Sequence, residues 1–86
     1  IVMFEFDVSR QAEKFLKKCD KQLTSRILDK LNGLAVEPVP HNAVRIVGEE
    51  RTFRVRIGDY RVLYEIDWQN KIIIIVVIDK RPHAYD

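Results

Sequence analysis

Between Arg51 and Arg61 the chain carries four arginines and one acid, Asp59. Three of those arginines, Arg54, Arg56 and Arg61, fall into a pattern if the segment folds back at Gly58-Asp59. A two-residue turn that opens with glycine suits a type II′ hairpin. Such a turn sets Ile57 opposite Tyr60, Arg56 opposite Arg61, Val55 opposite Val62 and Arg54 opposite Leu63. Side chains alternate between the faces of a strand. Phe53, Val55, Ile57, Tyr60, Val62, Tyr64 and Ile66 then share one face, and Arg54, Arg56 and Arg61 share the other with Leu63 and Glu65. A slip of one residue would mix the two sets, which supports this register. Like charges placed directly opposite each other destabilise a sheet. Either these arginines extend into water and pair with acids such as Glu65, or they converge on an anion.

The chemistry open to them is that of phosphate. Guanidinium groups hold phosphate oxygens through paired, charge-assisted hydrogen bonds. The last strand runs antiparallel to the one that Arg61 opens, so its C-terminal end should emerge near the arginine face. Lys80, Arg81, His83 and Tyr85 would then join that face, unless the tail is a frayed, solvated end, as termini often are. A tyrosine can stack on a base or exchange a proton, and a histidine titrates near neutrality. A lone histidine near a terminus is also commonly incidental. The chain shows no carboxylate cluster at metal-ligand spacing, no Gly-rich nucleotide loop and no Ser-His-Asp pattern. Cleavage of a phosphodiester by the RNA's own 2′-hydroxyl fits this set and needs neither metal nor cofactor. It needs aligned atoms and stabilised negative charge on phosphorus.

The elements that must position these residues follow from the remaining pattern. Met3 to Val8 alternates as a first strand. Ser9 is a good helix N-cap, and Ala12, Phe15, Leu16 and Cys19 then follow at i, i+3, i+4, i+7, one apolar helical stripe. On that stripe Cys19 reads as a small core residue rather than a nucleophile. A second helix runs from about residue 20 or 21 to Gly33, with Leu23, Ile27, Leu28, Leu31 and Leu34 at helical spacing and Gly33 as its stop. The short break between the stripes indicates an antiparallel helical hairpin. Pro38-Val39-Pro40 opens a loop. A short extended piece is expected at 44–47, then strands at 52–57, 60–66 and 71–78. The last is apolar throughout, so it is expected to be central and covered on both faces. The order β-α-α-β-β-β, with room for one extra short strand, describes an α+β domain: an N-terminal strand and a helical hairpin packed on a small antiparallel sheet.

Composition narrows the class further. A chain of 86 residues is expected to form one domain, 1–86. Its single cysteine allows no internal disulfide and fits a reducing cytoplasm. Two histidines far apart in sequence are too few for a convincing metal site. No apolar run reaches the roughly 18 residues of a membrane span, and no signal peptide is visible. The Ile1-Val2 start ahead of Met3 is unusual. The net charge of +2, from 15 Lys and Arg against 13 Asp and Glu, says little about nucleic acid by itself; the clustering of arginine says more.

The segment Phe53-Arg-Val-Arg-Ile-Gly-Asp-Tyr-Arg-Val-Leu-Tyr64 resembles the signature hairpin of the RelE/ParE toxin superfamily. The tail Lys80-Arg-Pro-His-Ala-Tyr85 resembles the ending of RelE-type members, archaeal ones included, and tips the balance toward RelE. The order of elements agrees along nearly the whole chain. The resemblance implies the toxin of a type II toxin–antitoxin system, a metal-independent endoribonuclease that cuts messenger RNA on the translating ribosome by 2′-oxygen attack on the adjacent phosphate. It implies catalytic roles for Arg56, Arg61, Arg81 and Tyr85, and RNA or phosphate binding by Arg54, Lys80 and His83. Better-studied members carry lysines where Arg54 and Arg56 stand. An arginine effectively cannot release its proton, so these positions are expected to supply charge and not a general base. A RelB-like antitoxin is the implied partner, beside the ribosome and messenger RNA. No DNA-binding motif and no membrane contact are expected. Two alternatives remain open: a ParE-like inhibitor of DNA gyrase, and a decayed module whose arginines only hold an acidic antitoxin.

Overall fold

The computed structural model describes residues 2–49 and 51–80. Among these residues seven elements follow one another: β1 (Glu5–Val8), α1 (Arg10–Lys18), α2 (Lys21–Val36), β2 (Val44–Arg45), β3 (Thr52–Ile57), β4 (Tyr60–Asp67) and β5 (Ile72–Lys80). The strands form one sheet in the order β1-β5-β4-β3-β2. The fold is α+β, with both helices ahead of the long β-meander, as the sequence pattern indicates.

Each helix starts on a capping side chain. Ser9 Oγ accepts from the Ala12 N–H at 3.1 Å, and Asp20 Oδ1 accepts from the Leu23 N–H at 2.8 Å. Only Cys19 and Asp20 separate the two helices. Cys19 is half-buried against the core, its Sγ 2.9 Å from Thr24 Oγ1, in keeping with a packing role. Gly33 does not stop α2. The helix runs on to Val36, because Leu34 and Ala35 are 1% and 3% exposed. Burying a leucine is worth about 1.5–3 kcal/mol, against about 1 kcal/mol for a glycine inside a helix. The stop comes at Glu37, before Pro38, where the proline ring disfavours helical backbone.

One face of the sheet carries the core. Val55, Ile57, Val62, Tyr64, Ile66, Ile73, Ile75 and Ile78 pack there against Ala12 of α1 and Leu23, Ile27, Leu31 and Leu34 of α2. The Tyr64 hydroxyl, fully buried, donates to the Pro38 carbonyl at 2.6 Å and so ties the proline loop to β4. Burial pushes its pKa up to about 12.

The sheet departs from the expected antiparallel one at one edge. β1 pairs with β5 in parallel, from Glu5↔Ile72 to Val8↔Ile75, while β2 to β5 are antiparallel. Hydrophobic alternation assigns faces and is blind to strand direction, so the pattern of Met3 to Val8 could not reveal this. β5 is an interior strand, as expected, yet it is not covered on both faces. Ile73, Ile75 and Ile78 are buried, while Ile72, Ile74 and Val77 are half-exposed on the face away from the helices.

β5 also carries a bulge. Tyr64 pairs with Ile75 but Leu63 pairs with Val77, so Val76 is an extra residue. The start of α1 fastens this region. Ser9 Oγ donates to the Val76 carbonyl at 2.7 Å, and the Gln11 amide exchanges two hydrogen bonds with the Ile78 backbone, at 2.8 and 3.0 Å.

Candidate nucleic-acid interface

The hairpin has the register read from the sequence: Ile57↔Tyr60, Arg56↔Arg61, Val55↔Val62 and Arg54↔Leu63. Gly58 sits at φ +59°, the left-handed region that the first position of a type II′ turn requires. Arg54, Arg56 and Arg61 therefore share the face that the helices leave uncovered. Direct cross-strand neighbours have Cβ atoms about 4.5–5.5 Å apart, so Arg56 and Arg61 can reach one small anion together.

Asp79 answers the like-charge problem. It stands opposite Arg61 on β5, so a row Arg56–Arg61–Asp79 crosses three strands. Arg61 Nε donates to Asp79 Oδ1 at 2.7 Å and Nη2 to Oδ2 at 3.3 Å. This hydrogen bonding raises the Arg61 pKa further above its ordinary value. A guanidinium has five N–H donors. The pair occupies two of them, and the Nη1 end has no partner among the described residues. The side chains of Arg61 and Asp79 are 30% and 39% exposed, so the pair is half-open to solvent and to a ligand.

The bulge makes this pair possible. Were Val76 paired regularly instead of bulged out, the continuing register would put Ile78 opposite Arg61 and turn Asp79 to the other face. The sequence reading ends this strand at residue 78 and so does not pair Asp79 with Arg61, whereas β5 runs on to Lys80; Glu65, the acid it does name, forms no ion pair among the described residues.

The remaining candidate residues are placed unevenly. Arg54 is half-buried, and its Nε is buried without a hydrogen-bond partner among the described residues. With Asn42, Val44 and Arg56 it lines a shallow groove beside β2. Lys80 pairs with Tyr60 and so alternates onto the face opposite Arg61. The structure gathers the three hairpin arginines and does not gather Lys80 with them. Arg81, His83 and Tyr85 lie outside the described residues. A second groove, between α2 and the hairpin, is lined by Arg26, Asp29, Lys30, Arg56 and Ile57. Arg26 and Lys30 were not singled out from the sequence; their i, i+4 spacing on α2 was the available signal. No helix among the described residues is long and apolar enough to cross a membrane.

Comparison with known proteins agrees with this architecture. Residues 6–85 match the family model described as the ParE toxin of type II toxin–antitoxin system, parDE. A protein of Methanocaldococcus jannaschii bearing the name toxin RelE1 is 31% identical over 85 residues, which span 95% of this chain and 94% of that protein. Among solved structures, a chain of the archaeal RelE–RelB complex from Pyrococcus horikoshii OT3 superposes with a TM-score of 0.80 at 29% identity, covering 94% of this chain and 98% of that one. A chain of the toxin–antitoxin complex RelBE2 from Mycobacterium tuberculosis gives 0.77 at 25% identity, covering 93% and 100%. With its hairpin register, its fold and these relatives in agreement, the chain belongs to the ParE toxin family of type II toxin–antitoxin systems, within the RelE/ParE superfamily.

Proposed function

We propose that this toxin is a RelE-type endoribonuclease that cuts messenger RNA on the translating ribosome. The observation that carries the proposal is that Arg54, Arg56 and Arg61 lie together on the sheet face opposite the helices. Arg54 and Arg56 hold phosphate oxygens. Arg61, steadied by Asp79, directs its free N–H groups at the phosphate under attack and stabilises the charge that develops there. The RNA's 2′-oxygen bonds to phosphorus, the bond to the 5′-oxygen breaks, and a 2′,3′-cyclic phosphate and a 5′-hydroxyl result. The proton leaves the 2′-hydroxyl and one is returned to the 5′-oxygen. The arginines remain charged and act only through charge. By resemblance, Arg81 supports the leaving oxygen, Tyr85 stacks on the base or handles a proton, and Lys80 and His83 assist in binding. The ribosome supplies the alignment that so few groups cannot.

The partner is a RelB-like antitoxin. The relatives in Pyrococcus horikoshii and Mycobacterium tuberculosis were solved as toxin–antitoxin complexes, and the half-exposed apolar residues of β4 and β5 leave surface for one. The site of action is the cytoplasm, where ribosomes and messages meet.

Primer extension on messages in a translating extract tests the proposal. New 5′ ends at codon-spaced positions that vanish when translation is blocked are expected. Intact messages, with growth arrest in cells and loss of gyrase supercoiling in vitro, would contradict it. That outcome would favour a gyrase-directed toxin, the reading to which the name of the matched family model points.

A further inference from the structure

The basic surface does not end at the sheet. Among the described residues β2 pairs only with Phe53 and Arg54, so no described strand lies along the edge of β3 beside Arg56. Arg56 lines both grooves that meet at this edge, the one with Asn42 and Arg54 and the one with Arg26 and Lys30 on α2. The cations therefore form a continuous track, Arg54, Arg56, Arg26 and Lys30, that turns from the open face around the β3–β4 hairpin onto the helix. Among the described residues, Asp29 is the one acid lining the second groove. Neither Arg26, Lys30 nor Arg56 forms an ion pair with Asp29 or with any other described residue.

The Arg26 side chain also reaches over the hairpin turn. Its Nη2 lies 2.6 Å from where a Cβ on Gly58 would stand, so the guanidinium rests over the turn in space that only glycine leaves. Gly58 thus allows the turn and admits the cation.

We propose that Arg26 and Lys30 form a second phosphate-binding subsite that takes the sugar–phosphate backbone of single-stranded RNA flanking the segment on the arginine face. The inference rests on the reading that RNA occupies that face, and it identifies the path by which the strand leaves. A polyanion with evenly spaced charges suits a line of separated cations joined through a shared Arg56. An acidic peptide is the competing occupant.

The test compares the full-length protein with an Arg26→Gln/Lys30→Gln variant, using RNA oligonucleotides of 4 and 12 nucleotides. Binding is followed by fluorescence anisotropy across a salt series, with thermal melts to confirm that the variant is folded. For single strands, log affinity falls with log salt by about 0.7 per phosphate contact. On the 12-mer the variant is expected to show a slope shallower by about 1.4, two contacts' worth. On the 4-mer its slope should match the wild type. An unchanged slope on the 12-mer, an equal loss on both lengths, or no RNA binding by the wild type at low salt would overturn the subsite. So would an intact 12-mer slope with lost affinity for an acidic peptide, which would assign the groove to a protein partner. Because the readout is binding, a message-cleavage assay can fail while the subsite stands, or succeed while it falls.

Discussion

At the scale of single residues, the proposed function turns on the Arg61–Asp79 pair. A buried or half-buried arginine opposite another arginine would be expected to swing away into water. Asp79 holds it by two hydrogen bonds on its Nε side, so the Nη1 end is presented in a fixed direction. Removing the carboxylate while keeping the shape, as in Asp79→Asn, should separate position from charge. Cleavage at saturating substrate is expected to fall, by up to about 10²-fold as is known for misplaced catalytic groups. RNA affinity should hold or improve, since one negative charge leaves the face. Parallel loss of affinity and rate would mean that Asp79 merely supports the fold.

At the scale of elements, two features lend themselves to measurement. Gly33 lies inside α2, exposed, with nothing within 4 Å of where its Cβ would be. Gly33→Ala should therefore stabilise the protein by about 1 kcal/mol, raising Tm by about 4–8 °C in a calorimetric scan. Tyr64 ties β4 to the proline loop. Tyr64→Phe leaves the Pro38 carbonyl buried without its donor and should cost about 1–3 kcal/mol, read from urea unfolding. The same side chain sets an alkaline limit. Its pKa is raised to about 12 from the ordinary 10, so the folded state binds that proton more tightly. The stability this brings is complete below pH 10 and lost as pH rises through about 12. The wild type should show this decline, and Tyr64→Phe should lack the part due to this group. Equal alkaline profiles would place the titrating group elsewhere.

At the scale of the whole molecule, what was legible in the sequence was what local rules determine. The hairpin register followed from a glycine-led turn and strict alternation, and the Ser9 cap from the chemistry of a hydroxyl beside free N–H groups. Tertiary contacts decided the rest. Burial of Leu34 and Ala35 carried α2 past Gly33, and only pairing with β5 gave β1 its direction. The Val76 bulge, fastened by Ser9 from 67 residues away, moved every later residue of β5 to the other face. Skipping that one residue in the pairing sets Asp79 opposite Arg61 and turns Lys80 away from it, and no count along β5 alone could show it. The central claim is that the uncovered arginine face holds the phosphate at which RNA is cut. The most direct measurement is the single-turnover rate of cleavage of a ribosome-bound message by Arg61→Ala beside wild type, with circular dichroism to confirm equal folding. A loss of about 10²-fold or more is expected if Arg61 stabilises the transition state; cleavage at the wild-type rate would contradict the claim.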